Sequence, residues 1–190
     1  MRKFLLSITT ITPSAWRWKL EEAKRLKLKE VALFPTCLNL AERKELYELL
    51  KGTGIKRVPF VHLRSDMESW ELDYLIKNYK TEVFNTHTQR EYPIPPNWKK
   101  YKNLIYIENT YEPFDEKEIK QFAGICLDFP HLENNRMFYL EVYRHNIKVI
   151  EKYLCGCNHL GPVKNSHFLE SFSELDYLKN YPQKYFSSFL

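Results

Sequence analysis

Five apolar runs in this 190-residue chain each lead into a side chain able to bind a metal ion or move a proton. RVPFVHL carries His62, EVFNTHT carries His87, and NLIYIENT carries Glu108. GICLDFPHL carries Asp128 and then His131, and LCGCNHL carries His159. A sixth run near the start, KFLLSIT, leads only to the hydroxyls of Thr9 and Thr10. In a strand, alternate residues share a face. The parity repeats: Phe60 precedes His62, Asn85 precedes His87, Tyr106 precedes Glu108, Cys126 precedes Asp128 and Cys157 precedes His159. Each run thus sends one imidazole or carboxylate to the same end of one surface. Imidazoles and carboxylates together suit zinc or manganese, and a carboxylate can bridge two ions. Asp128-Phe-Pro-His131 is the most informative local motif, because a strand-end aspartate and a histidine in the following loop can approach one site from two sides. His167 follows in the loop after His159.

Singly, these residues have bland readings. A strand-end histidine is commonly a hydrogen-bonded structural residue, and Glu108 can cap a loop. His145 lies in a helical stretch among charged neighbours and takes no role. Cys155-Gly-Cys157 can bind a soft metal with His159, but facing cysteines inside a strand are more commonly core. Joint placement is what argues that His62, His87, Glu108, Asp128, His131 and His159 share a divalent-metal site.

Something must hold those ends together. Strands are expected to begin near residues 3, 30, 57, 81, 103, 124 and 154, with YFSSFL at the C-terminus as an eighth. Between them lie helical stretches with start signals. Thr12-Pro13 precedes AWRWKLEEAKRL, Asn39 with Glu42 opens AERKELYELLK and Gly52 closes it. Ser65 with Glu68 and Asp115 with Glu118 read as capping boxes. The longest helix, around YLEVYRHNIKVIEKYL, carries Leu140, Tyr143, Ile147, Ile150 and Leu154 as a core stripe. Regular alternation argues an α/β fold with a parallel sheet. Seven or eight units predict one domain over residues 1–190, a (βα)8 TIM-type barrel with its chemistry at the C-terminal strand ends. An open doubly wound sheet is the runner-up, weakened by the lack of a glycine-rich loop after the first strand. No helix follows YFSSFL, so either the barrel is incomplete or another copy covers that flank, which makes a homo-oligomer an expectation. The stretch QREYPIPPNWKKYKN, with three prolines, is expected as a rim loop on which Arg90, Tyr92, Trp98 and Lys99 line a substrate mouth.

Bulk properties narrow the partners. No apolar run reaches the ~20 residues of a membrane span. The basic, apolar start reads as a first strand rather than a signal peptide. The net charge of +5, from 29 basic and 24 acidic residues, is spread along the chain. Such a charge permits an anionic substrate without requiring nucleic acid. Four cysteines without disulfide-framework spacing fit a reducing cytoplasm.

The segments IENT at 107–110, GICLDFPH at 124–131 and HLGPVK at 159–164 resemble the metal-binding signatures of endonuclease IV-type abasic-site nucleases. Those belong to the xylose isomerase-like TIM-barrel superfamily, together with sugar isomerases and epimerases. The resemblance runs from about residue 57 to 167. It implies that His62, His87, Glu108, Asp128, His131, His159 and His167 are metal ligands. Glu108, Asp128 and His159 also match the single-metal set of the epimerase branch, in which His131 would bind substrate. Two departures stand out: YFSSFL carries no last-strand glutamate, and Asn165 stands where the nuclease branch has an aspartate.

The leading expectation is a divalent-metal enzyme, zinc or manganese, acting on a small sugar or sugar phosphate as an isomerase or epimerase. Glu108 would move a proton, His131 would assist at the reacting centre, and Arg64, Arg90 or Lys164 would hold a phosphate. The alternative is metal-dependent hydrolysis of a phosphodiester at abasic DNA, to which His62 and His87 point. Short loops and the lack of a concentrated basic patch weigh against it. A third reading is a degenerate or shortened barrel that binds metal without turnover.

Overall fold

The apolar runs become strands and the capped amphipathic stretches between them become helices. The computed structural model describes residues 4–11 and 15–160, which divide into two compact units. One is built from residues up to Thr86 together with Ile94–Leu104, the other from His87–Pro93 and the residues from Ile105 onward.

The first unit contains β1 (Ser7–Thr9), α1 (Trp16–Arg25), β2 (Glu30–Phe34), α2 (Leu40–Lys51), β3 (Arg57–His62), α3 (Ser69–Tyr79) and β4 (Val83–Thr86). A 3-10 helix, Pro96–Leu104, completes it. The strands pair in parallel in chain order, with Ile8 opposite Leu33, Leu33 opposite Val61 and Val61 opposite Phe84. Those four residues are almost wholly buried. Near-continuous apolar runs such as VPFV suit parallel strands, whose two faces are both covered. Asn39 and Glu42 form a reciprocal capping box at the start of α2, and Gly52 ends that helix as expected. The start of α3 differs from expectation. Glu68 is its cap and Glu71 closes the box, so Ser65 plays no part. Glu71 is already fixed by the buried guanidinium of Arg43, which donates to both its oxygens at 2.8 and 2.9 Å. Helix α1 begins after Ala15 without a side-chain cap, and the expected Thr12-Pro13 signal lies outside the described residues.

The second unit contains β5 (Ile105–Glu108), α4 (Glu116–Ile119), β6 (Gly124–Asp128), α5 (Phe129–Phe138), α6 (Leu140–Ile150) and β7 (Cys155–His159). Its strands are parallel, with Glu108 opposite Cys126 and Asp128 opposite His159. Asp115 caps α4 by accepting from the Lys117 N–H. The long helix expected around residues 139–154 is shorter and starts after a break at Tyr139. Its stripe is only partly core. Val149 and Ile150 are buried with Asn146, whereas Leu140 and Leu154 are exposed at the two ends of that segment.

The expected eight-stranded closed barrel is not what the described residues form. The described residues carry seven parallel strands in chain order, an α/β fold. A ring needs every strand edge paired, yet among the described residues β1 pairs with β2 alone and β7 with β6 alone. YFSSFL, the expected eighth strand, lies outside them. No helix of the described residues is long and apolar enough to cross a membrane, and all four cysteines are free thiols.

Candidate metal centre

The centre is built at the C-terminal ends of β5, β6 and β7, all in the second unit. Adjacent parallel strands in register bring their last residues side by side. Asn109 locks β5 to β6 where they end. Its side-chain N–H donates to the Asp128 carbonyl at 2.9 Å, and its side-chain oxygen accepts from the Asp128 N–H at 2.8 Å. Asp128 is both the last strand residue and the N-cap of α5, accepting from the His131 N–H at 2.7 Å. Pro130 in the first turn is preset for a helix start. The Asp-Phe-Pro-His string is therefore a strand end, a cap and one helical turn. That turn brings the His131 ring back over the strand ends.

One oxygen of Glu108 is the focus. His159 Nδ1 lies 3.4 Å from it, His87 Nε2 3.9 Å and His131 Nε2 4.0 Å. Glu108, Asp128 and His159 are all buried. His159 Nδ1 also lies 3.1 Å from the second oxygen of Asp128, and its Nε2 is 3.5 Å from Cys126 Sγ. His87 is held from behind by Glu91, whose carboxylate takes its Nδ1 at 2.8 Å. Tyr92 packs its ring at 5.4 Å from that of His87.

Protonation follows from this crowding. Burial alone would drive the proton off His159, but Glu108 and Asp128 outweigh it and hold the imidazole well above its ordinary range. His87 is likewise penalised by burial, and Glu91 and Glu108 together raise it. Glu91 pays a burial penalty too, yet the His87 hydrogen bond lowers it overall. Burial pushes the Cys126 thiol well up, so it stays protonated when no cation is bound. The site without metal is thus a cluster in which the neighbouring carboxylates favour the protonated forms of His159 and His87.

These residues fit a divalent cation. Glu108, Asp128 and His131 each offer a ligand atom, all within 4.8 Å of one another. Glu108, Cys126 and His159 do the same. Two carboxylates with imidazoles suit zinc or manganese, and a thiolate would favour zinc. The Nδ1 of His131 is buried without a hydrogen-bond partner, an atom that needs an explanation in a folded protein.

Sequence reading brought His87, Glu108, Asp128, His131 and His159 to this place. His62 belongs to the first unit, where it ends β3, sets Nδ1 2.9 Å from the Leu63 carbonyl and packs against Phe34. His167 and Lys164 lie outside the described residues. Arg64 is committed to a loop, with Asp66 at 3.0 Å and the Leu38 carbonyl at 3.1 Å. Trp98 is wholly buried, its indole N–H donating to the Met67 carbonyl, so it lines no mouth. The segment that carries it is a 3-10 helix from Pro96 to Leu104, and only residues 89–95 of the expected rim loop are turn and irregular chain. Arg90 and Lys99 are exposed. Glu91 and Asn109 were missed, although the spacing of four from His87 and the position beside Glu108 were signals for them.

No protein-family model matches the chain, and neither a curated protein nor a solved structure does.

Proposed function

We propose that the second unit binds a divalent cation, zinc or manganese, and acts on a small sugar or sugar phosphate as an isomerase or epimerase. Glu108, Asp128, His131 and His159 would hold the ion, with His87 beside them. One observation carries the reading: three imidazoles and a second carboxylate gather around a single buried oxygen of Glu108. When bound, such an ion polarises a carbonyl or hydroxyl oxygen of the substrate. The chain supplies the rest. Glu108 takes or returns a proton at the neighbouring carbon, and its burial keeps water from competing. His131, whose Nε2 lies 4.0 Å from the same Glu108 oxygen, orients the reacting oxygen. Asn109 fixes the Asp128 backbone, and the α5 cap holds its carboxylate so that it cannot swing away.

A second reading is hydrolysis of a phosphodiester, including that of abasic DNA. His87 favours it, because a histidine braced by a carboxylate on its far nitrogen is the arrangement metal ligands adopt. It would add an imidazole beyond what one ion needs. Metal binding without turnover is the third outcome.

Metal analysis of the purified protein, paired with Glu108→Gln and with assays for ketose–aldose interconversion, epimerisation and abasic-site cleavage, separates these readings. About one zinc or manganese per chain, lost in the variant, with sugar interconversion, is the expected result. Two or more ions with cleavage would replace it by the hydrolase. A wild-type protein that takes up no divalent metal would overturn both.

A further inference from the structure

Three of the four cysteines lie on β6 and β7, and two of them are register partners. Cys126 on β6 stands opposite Cys157 on β7. That pairing depends on an irregularity. Ile125 is opposite Cys155, so β7 carries one extra residue, Gly156, against the Ile125–Cys126 step. An even register from Ile125 onward would put Gly156 opposite Cys126, and Asn158 rather than His159 opposite Asp128. The extra residue must be glycine, because a Cβ there would run into the ring of Tyr106. The bulge brings two thiols together. Cys126 is within hydrogen-bonding reach of Cys157, and its Sγ lies 3.5 Å from His159 Nε2. Neighbouring strands run about 4.7–4.9 Å apart, inside the roughly 4.4–6.8 Å between Cα atoms that a disulfide spans. Cys126 is wholly buried and Cys157 half-buried. Cys155 is committed elsewhere, with Sγ 3.2 Å from the Asn158 Oδ1, and burial pushes its thiol up to about 12.

We infer that Cys126 and Cys157 form a thiol modification site, which a low-molecular-weight disulfide converts to a cystine linking β6 to β7. The half-buried Cys157 meets the reagent R–S–S–R first. Its sulfur bonds to one reagent sulfur, the reagent S–S bond breaks, and R–S⁻ leaves and takes up a proton. Cys126 then attacks the Cys157 sulfur, and the second R–S⁻ departs and is protonated in turn. Both cysteines are oxidised, the reagent is reduced to two R–SH, and the two thiol protons end on those products. A consequence for the metal centre follows, and it rests on the cation-binding reading above. Cys126 supplies the sulfur of the group it forms with Glu108 and His159. A sulfur held in a cystine is no thiolate, so the bridge withdraws it as a ligand. Glu108, Asp128 and His131 keep their oxygen and nitrogen atoms, the donors manganese prefers. Oxidation therefore lowers the affinity for zinc and spares that for manganese. By the same linkage, zinc bound to Cys126 blocks the bridge.

The test treats the full chain, freed of metal by chelator, with oxidised glutathione and maps the product by alkylation, digestion and mass spectrometry. Zinc and manganese affinities are measured by calorimetric titration on the reduced and oxidised samples. A single bridge between Cys126 and Cys157, reversed by dithiothreitol, is the expected product. Cys157→Ser should abolish it and Cys155→Ser should leave it, with circular dichroism confirming that both variants fold. Saturating zinc should slow bridging by about tenfold or more, and the bridge should weaken zinc binding by a similar factor, whereas manganese does neither. No reaction, a glutathione adduct that never resolves, or a bridge through Cys155 or Cys37 overturns the modification site, and zinc binding in that same protein leaves the metal centre standing. A Cys126–Cys157 bridge in a protein that takes up neither ion does the reverse. Equal protection by zinc and manganese overturns the competition for the Cys126 sulfur.

Discussion

At the residue scale His159 decides how the centre behaves without metal. It stands between Asp128 and Glu108, and their charges hold its proton against burial. The folded-state value is raised above the unfolded one, so folding takes up a proton between the two. The stabilisation is complete below about pH 6.5, the ordinary histidine value, and is lost as pH rises through the raised folded value. Chelator-treated protein should therefore unfold at a lower urea concentration as pH climbs above that point. His159→Gln should flatten this dependence. A urea midpoint in the wild type that rises with pH over the same window would contradict the assigned partners. Because a ligating imidazole must be neutral, a cation competes with that proton and is held more tightly at higher pH.

At the scale of elements, side chains that no periodicity reveals hold the helices in place. Arg43 on α2 is wholly buried and pairs with the equally buried Glu71 on α3, which also accepts from the Tyr47 hydroxyl at 2.8 Å. The remaining guanidinium N–H groups reach the Leu38 carbonyl and Asp66. Removing one partner leaves the other buried and unpaired, a loss of about 3–5 kcal/mol. Glu71→Gln should show a loss in that direction by urea denaturation, whereas replacing Arg43 and Glu71 together by methionine and leucine should cost far less. An equal loss in single and double variants would mean that packing, not charge, is responsible. Asn39, Glu42 and Gly52 were legible from the chain because a cap depends on neighbours three residues away. Glu71 was not, because its partner on the preceding helix is 28 residues distant. The same reason explains why Glu68 displaced Ser65 as the cap of α3: Arg43 fixes Glu71, and the box forms where Glu71 can reach.

At the scale of the whole molecule, a bound cation should raise the stability of the folded state by mass action. With free zinc or manganese at 100 times its dissociation constant, the gain is about 2.7 kcal/mol. Thermal melting of wild type with and without the ion should show that rise, and Glu108→Gln should remove it. A shift of equal size in the variant would place the ion elsewhere. The order of strands was readable because the spacing of apolar runs and caps is local. Strands begin at residues 30, 57 and 124, where they were expected. Closure was not readable, since whether a last strand pairs with a first depends on edge hydrogen bonds rather than on any local pattern.

By itself the amino-acid sequence determined that parallel strands would alternate with helices, that His87, Glu108, Asp128 and His159 would lie at strand ends, and that His131 would follow three residues after Asp128. Period-two parity and short-range capping are properties of consecutive residues. Only the tertiary structure decided that Glu108 is the oxygen on which the imidazoles converge, that Glu91 braces His87 and that Trp98 is core. It also buried Asn134 beside Tyr111, Phe138 and Tyr139. Each of these depends on the register between strands or on a side chain's approach across tens of residues, and both are fixed by packing rather than by sequence spacing.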